Sequence, residues 1–455
     1  MAVNPSNGNQ DGPGITRISV TGFKSLATKA DVEIRPLTVL AGANSSGKSS
    51  IMQPLLLMKQ TLESDFNPAG PFLLSGPYLQ YTGTKQFLTR TGGRNGSSQP
   101  LTLEFGFNPG LTAGMAYSVE PEAGLNIVET WGSNAVTNTK WKIAKDSTPE
   151  DLRAMLLELG SISLLMEQVG FTQISVQDSG FYHSILYSAP EPLGRRRGET
   201  YFMQENLELN SQIRRLIYVP GVRGDQSRKR LFAEIAGPGF FPGSFEYYLP
   251  TLIDSWDVDV HGDRRKIHDL IGALRTLELA SGIGSRRLSE SEIEVSIPRT
   301  RNSADDDPVN IADVGLAVPI VLPVLVALIE ADPGQLVYIE QPELHLHPRA
   351  QWRLAQLLAR AANRGVKLVI ETHSSLLLQG ILTQVARNQI ANDKVILHWF
   401  WRDAETGMST AESAEPDSAG RVGEWPEDFS DVELKASNEY LDAAESKLMA
   451  GREAG

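Results

Sequence analysis

Eight residues constrain this chain more than any other stretch: Gly42 to Ser49 reads G-x-x-x-x-G-K-S. An apolar β-type run, Leu37-Thr-Val-Leu40, precedes them. Ile51, Leu55, Leu56, Met58 and Leu62 follow at helical spacing. Strand, glycine-bounded loop and helix are the context in which this pattern has a mechanism. Gly42 and Gly47 let the backbone curl so that its N–H groups point inward at phosphate oxygens. The helix that follows presents its positive end to the same anion. The candidate phosphate-binding residues are therefore Gly42, Ala43, Asn44, Ser45, Ser46, Gly47, Lys48, Ser49 and Ser50. Lys48 suits the β- and γ-phosphates, and the Ser49 hydroxyl suits Mg²⁺.

Composition narrows the setting. At 455 residues the chain has room for two or three domains. It has no cysteine, so disulfides and thiolate metal sites are excluded, and a reducing compartment fits. Met1–Gly14 is polar and rich in Asn, Gly and Pro, with no apolar segment of the kind a secretory signal needs. The longest apolar run, around Val314–Ile329, carries Pro319 and Pro323 and ends in Glu330, which argues against a membrane span. The expectation is a cytoplasmic protein with no membrane partner. A formal charge of −13 argues against nucleic acid binding over the whole surface, though not against a local basic patch.

Read in order, residues 1–14 form a disordered tail and 15–144 an N-terminal lobe. Within that lobe, Ile15–Val20 alternates like a strand, and Val32–Ile34 with Leu37–Leu40 reads as a strand pair. Residues 66–98 read as loop. Leu101–Phe107, Met115–Val119, Leu125–Trp131 and Thr137–Ile143 read as an antiparallel meander. Residues 145–308 read as an inserted, mainly helical region with a basic block: Arg195, Arg196, Arg197, Arg214, Arg215, Arg223, Arg228, Lys229 and Arg230. Residues 309–400 form a C-terminal lobe, and 401–455 a small domain or tail. In that lobe the strand Leu336–Ile339 ends in Glu340, and the strand Lys367–Ile370 ends in Glu371-Thr-His373. Strand, polar loop and helix recur as in α/β proteins. Polar strand ends then converge where open α/β sheets bind ligands. Glu340 sits where a metal-organising carboxylate belongs, and His373 where an imidazole can reach a γ-phosphate or its attacking water.

Phe23-Lys-Ser, the loop at 42–49, Ile339-Glu-Gln-Pro-Glu-Leu-His-Leu-His-Pro348 and Glu371-Thr-His-Ser374 together resemble the ABC-type P-loop ATPases of the SMC-like and overcoming-lysogenisation-defect group. Ala419–Phe429 resembles a small domain of unknown function that closes many prokaryotic members. The resemblance covers roughly 15–65, 310–400 and the tail. It implies an α/β ATPase head with a mostly parallel core sheet, an antiparallel β subdomain and a helical insertion. It also implies ATP and Mg²⁺ as ligands, and a homo-oligomer, a dimer of heads or higher. Several relatives lie in anti-phage or DNA-processing operons, which implies a separate effector protein such as a nuclease.

Two departures bear on activity. The signature segment, which would meet the nucleotide of a second copy, falls at Asp313–Pro323. Pro319-Ile320 stands there in place of the Ser-Gln pair of many relatives, so closure relies on backbone N–H groups near Gly315 or on other residues. At the strand end, Gln341 replaces a glutamate; it can orient water but cannot accept its proton. Glu343 supplies a carboxylate if the proline turn aims it inward. The expectation is slow, regulated hydrolysis. A scaffold that binds ATP without cleaving it and a transporter ATPase subunit are the alternatives.

Smaller candidates complete the set. Lys24 reads as a phosphate contact or as a solvated turn lysine. Gln80 is a candidate metal-sensing glutamine beside Ser49 and Glu340. His345 and His347 have no third ligand in sight and read as structural. The basic block either follows a nucleic acid backbone or pairs with the chain's own carboxylates, and Arg223 is placed to face the nucleotide.

Overall fold

The computed structural model describes residues 14–66, 68–90, 99–120, 124–158, 173–188, 200–203, 207–224, 227–235, 237–257, 264–300, 307–423 and 438–443. Residues 1–13 of the expected tail, Arg195–Arg197 and most of Ala419–Phe429 lie outside them.

The first strands divide between two sheets. β1 (Ile15–Thr21) and β2 (Ala30–Glu33) pair antiparallel, whereas β3 (Leu37–Gly42) leaves them. Pro36 has no N–H to continue a ladder, and β3 is buried along its whole length, as a central parallel strand should be. The expected pairing of Val32–Ile34 with Leu37–Leu40 is therefore absent. α1 (Lys48–Leu62) follows the glycine loop. β4 (Leu101–Phe107), β5 (Leu111–Glu120), β6 (Gly124–Asn134) and β7 (Thr139–Ala144) form the expected meander, which adds to β1 in the order β2-β1-β4-β5-β6-β7. β4 alternates strictly between buried and half-buried positions, the pattern of a sheet with one face on a core.

Residues 145–308 are mixed rather than mainly helical. α2 (Pro149–Glu158) precedes a small antiparallel sheet of β8 (Gln173–Ser179), β9 (Tyr182–Ser188) and β10 (Thr200–Met203). α3 (Leu207–Arg215) leads into β11 (Ile217–Val219). Then come β12 (Arg230–Leu231), α4 (Leu249–Asp257), α5 (Arg265–Thr276), β13 (Gly284–Arg287), β14 (Glu292–Pro298) and β15 (Pro308–Asn310). The remaining elements are α6 (Ala317–Glu330), β16 (Leu336–Glu340), α7 (Pro348–Asn363), β17 (Lys367–Glu371), α8 (Ser375–Ala386), β18 (Val395–Arg402) and β19 (Ser409–Ala414).

The core sheet runs β11-β16-β17-β3-β18-β19, with every pair parallel except the last. This is a mixed α/β fold with a mostly parallel core sheet. Side chains alternate across it. Leu37, Val39, Ala41, Val337 and Ile339 join the core under α6, α7 and α8. Leu40, Leu336, Tyr338, Val369 and Phe400 join a second core with α1 and the antiparallel sheet. Because β18 and β19 belong to the core sheet, the lobe extends to Ala414 and the expected division at 400 cuts through a strand. Phe400→Ala is expected to lower stability by about 3–5 kcal/mol, and the half-exposed Trp401→Ala by far less. Urea midpoints of the two variants check this.

Candidate functional site

Strand order decides which side chains meet. Parallel register sets Glu340 beside Glu371 and Glu371 beside Leu40, so three strand ends lie together, with β17 between β16 and β3. The carboxylate next to the glycine loop is therefore Glu371. Ser49 Oγ donates to its Oε1 at 3.0 Å. Glu340, expected to partner Ser49, sits one strand farther away and points elsewhere.

The loop itself has the expected curl. Gly42 has φ 140°, Ser45 60° and Gly47 102°. A Cβ on Gly42 would lie 2.1 Å from the Phe400 carbonyl oxygen, and one on Gly47 2.8 Å from Ser409 Oγ. Glycine is thus required at both for conformation and for space. Ala43, Asn44 and Ser45 are exposed at the rim, and Ser50 is buried with its N–H on the Gly47 carbonyl at 3.0 Å. Lys48 is buried, and its Nζ donates to the carbonyls of Gly42 (3.0 Å) and Ala43 (2.7 Å). Burial lowers its pKa, with the Glu371 charge pulling the other way. Ser46 Oγ is buried and makes no hydrogen bond. A cavity of about 520 Å³ opens over this loop, lined by Ser45–Ser50, Lys24, Gln53, Gln86, Arg90, Glu371, Arg402 and Thr406–Met408.

At the neighbouring strand ends the polar groups are tied together. Glu340 Oε1 accepts from the hydroxyls of Tyr218 (3.1 Å) and Tyr338 (3.0 Å), and its Oε2 from the Gly221 N–H (3.0 Å). Tyr338 also lies 2.9 Å from Glu371 Oε2. Burial and the Glu340 charge raise the Glu371 pKa. Gln341 adopts φ 44°, and its N–H donates to the Glu371 carbonyl at 2.7 Å. Arg223 does not face the nucleotide cavity. It is buried and donates to the carbonyls of Pro220 (2.8 Å), Ile320 (2.8 Å), Glu340 (2.6 Å) and Gln341 (2.7 Å). Burial brings its pKa down to about 10.

Glu343 is buried against the end of β17 and does not line the cavity. Its Oε1 accepts from the Thr372 hydroxyl (2.8 Å) and the His373 N–H (3.2 Å), while its buried Oε2 has no partner. Burial raises its pKa. His373 is half-buried, and desolvation with the nearby Lys48 charge lowers its pKa, which favours the neutral ring. Lys48, Ser49 and Glu371 thus line the cavity, His373 stands beside Lys48 and Gly42 without lining it, and Glu340, Gln341 and Glu343 lie behind.

Other candidates separate clearly. Lys24 lines the cavity, with its ammonium 5.4 Å from the Tyr81 ring centroid and its pKa lowered by burial. Gln80 is exposed and does not line it; Gln53 and Gln86 do. His347 caps α7 by accepting from the Arg349 N–H, and His345 is exposed. Among the described residues no cluster of three or more acidic, His or Cys side chains could hold a metal ion. In the basic block, Arg215 pairs with Asp332, Arg228 with Asp313 and Lys229 with Glu292, so these three cations meet the chain's own carboxylates. Among the described residues no helix is long and apolar enough to cross a membrane. Sequence reasoning missed Glu371, Tyr218 and Tyr338 as site residues. Glu371 ends an apolar run just as Glu340 does, so its signal was of equal strength.

Comparison with known proteins places both halves of this site in related territory. Residues 14–147 match the family described as "AAA ATPase domain", and residues 261–379 the family described as "AAA domain, putative AbiEii toxin, Type IV TA system". No curated protein matches the chain. Similar solved structures include an SMC head bound to the C-winged helix domain of ScpA, at 11% identity and TM-score 0.45, covering 89% of this chain and 99% of that one. The SMC head domain from Thermotoga maritima has 11% identity and TM-score 0.36, covering 88% and 98%. An SMC head with an extended coiled coil, bound to the C-terminal domain of ScpA derived from Pyrococcus furiosus, has 12% identity and TM-score 0.40, covering 95% and 100%. The glycine loop and the Glu340–His373 strand ends each fall within a stretch similar to AAA-type ATPase domains.

The raised Glu343 pKa has a consequence for stability. The folded state keeps this proton at pH values where the unfolded chain, with an ordinary glutamate pKa of about 4.3, has lost it. Stability therefore falls as pH rises from that value through the raised folded one. Glu343→Gln is expected to lose less stability than the wild type between about pH 4 and pH 7. Urea titrations at the two pH values measure the difference.

Proposed function

We propose that this chain is an ATPase head that binds ATP with Mg²⁺ and hydrolyses it slowly, as the regulatory or scaffold subunit of a complex with a separate effector. One observation carries the nucleotide reading: Lys48, Ser49 and Glu371 line a cavity over a glycine loop whose buried Ser46 hydroxyl lacks a partner, with His373 beside Lys48 and Gly42. A buried polar atom without a hydrogen bond is costly, and a phosphate oxygen would satisfy it. The donor set therefore fits a metal-bound triphosphate.

In this reading the loop N–H groups and Lys48 bind the phosphates, and Lys48 exchanges its carbonyl partners for phosphate oxygens. Ser49 and Glu371 hold the cation, with Glu340 behind them. Mg²⁺, when bound, supplies charge neutralisation at the phosphates. The neutral His373 ring either donates to the γ-phosphate or orients the attacking water, beside Gln341. Slow turnover follows from the carboxylates. Glu340 accepts from Tyr218 and the Gly221 amide, Glu371 accepts from Ser49, and the one Tyr338 hydroxyl proton lies between them, so neither is a free base without rearrangement; Glu343 is buried and does not line the cavity.

A second copy would approach through Asp313–Pro323, where Gly315 and Leu316 are exposed ahead of α6. The similarity of residues 261–379 to the putative AbiEii toxin family of Type IV TA systems supports a role in anti-phage defence, and the motif resemblance supports either that or DNA processing. Lys48→Ala is expected to abolish ATP binding, and wild-type turnover to stay below about 10 per second, the middle of the usual enzyme range. Equilibrium binding and phosphate release test both. Retained binding with no phosphate release replaces the enzyme by the scaffold reading.

A further inference from the structure

Two tyrosines outside every motif stand between the strand-end carboxylates. Tyr218 of β11 is paired in register with Tyr338 of β16, and their rings stack at 5.4 Å with 17° between planes. Tyr338 is fully buried. A phenol hydroxyl placed there must find an acceptor: the Tyr218 hydroxyl finds Glu340 Oε1, and the single Tyr338 hydroxyl proton lies between Glu340 Oε1 and Glu371 Oε2.

The donors divide unequally between the two carboxylates. Glu340 has Tyr218 on one oxygen and the Gly221 amide on the other, so both oxygens are engaged from the β11 side without Tyr338. Glu371 shares only Tyr338, on Oε2, and keeps Oε1 on Ser49. Among the described residues, Tyr338 has the one hydroxyl that reaches both. Two carboxylates on adjacent parallel strand ends repel unless donors lie between them.

Resting on the nucleotide reading above, we propose that Tyr338, supported by Tyr218, is a positioning residue of the metal–nucleotide site. The phenol pair ties Glu340 to the Gly221 loop and orients Glu371 toward Ser49 as the carboxylate that faces the cation. Phenylalanine at 338 would keep the ring packing and remove the hydroxyl that, alone among the described residues, spans the two acids.

The test uses the full chain and a fluorescent ATP analogue, titrated once with MgCl₂ and once with EDTA. The ratio of the two affinities reports the metal-dependent part of binding, which a purely structural role would not move. Tyr338→Phe is expected to cut this ratio by about tenfold, the scale of a hydrogen bond to a charged group, with the loss confined to the magnesium arm. Glu371→Gln should do the same and Glu340→Gln much less. Tyr218→Phe, expected to give a smaller cut, carries the test if the 338 variant does not fold. The proposal is overturned if both tyrosine variants keep the wild-type ratio, or if Glu340→Gln alone abolishes it. A wild-type chain that binds the analogue in neither buffer overturns the nucleotide reading and this proposal with it. Wild-type magnesium enhancement that survives both tyrosine substitutions overturns the tyrosine assignment alone.

Discussion

The insertion of β17 between β16 and β3 is the constraint on which the site depends. It brings Glu371 to Ser49 and keeps Glu340 one strand spacing away. It also places two carboxylates on adjacent strand ends, which electrostatics opposes. The arrangement holds because Tyr218, Tyr338, Gly221 and Ser49 supply a donor to each acidic oxygen.

Around that centre, main-chain carbonyls do much of the bracing. Arg223 buries its charge against four of them, from the loop after β11, from the Glu340–Gln341 turn and from the first turn of α6. A buried guanidinium without such partners would be strongly destabilising. The positive φ of Gln341 is held at both ends of its peptide unit, by the Glu371 carbonyl and by Arg223. The strand end and the start of α6 are therefore one braced unit, so the face proposed to meet a second copy is mechanically continuous with the nucleotide side.

The hairpin of β18 and β19 braces the glycine loop from the other side. The Phe400 carbonyl sits against Gly42, Ser409 against Gly47, and the Ser409 N–H and hydroxyl both bond Ser25. Residues beyond 400 thus shape the cavity wall. Nothing in their local pattern marks them as part of a phosphate site, because contact with the loop arises only from sheet pairing.

Much was legible in the residues alone, wherever the signal was local. The glycine loop, its flanking strand and helix, the meander at 101–144 and the apolar runs ending in Glu340 and Glu371 all follow from short-range periodicity and steric demand. What tertiary structure decided was adjacency. Pro36 and the unbroken burial of β3 sent it to a different sheet from β2. Strand order chose Glu371 over Glu340 for Ser49, and packing turned Arg223 to carbonyls and left Gln80 exposed. Two acids with the same local surroundings in the sequence cannot be ranked from it, because which one meets a hydroxyl hundreds of residues away depends on the order in which distant strands pair.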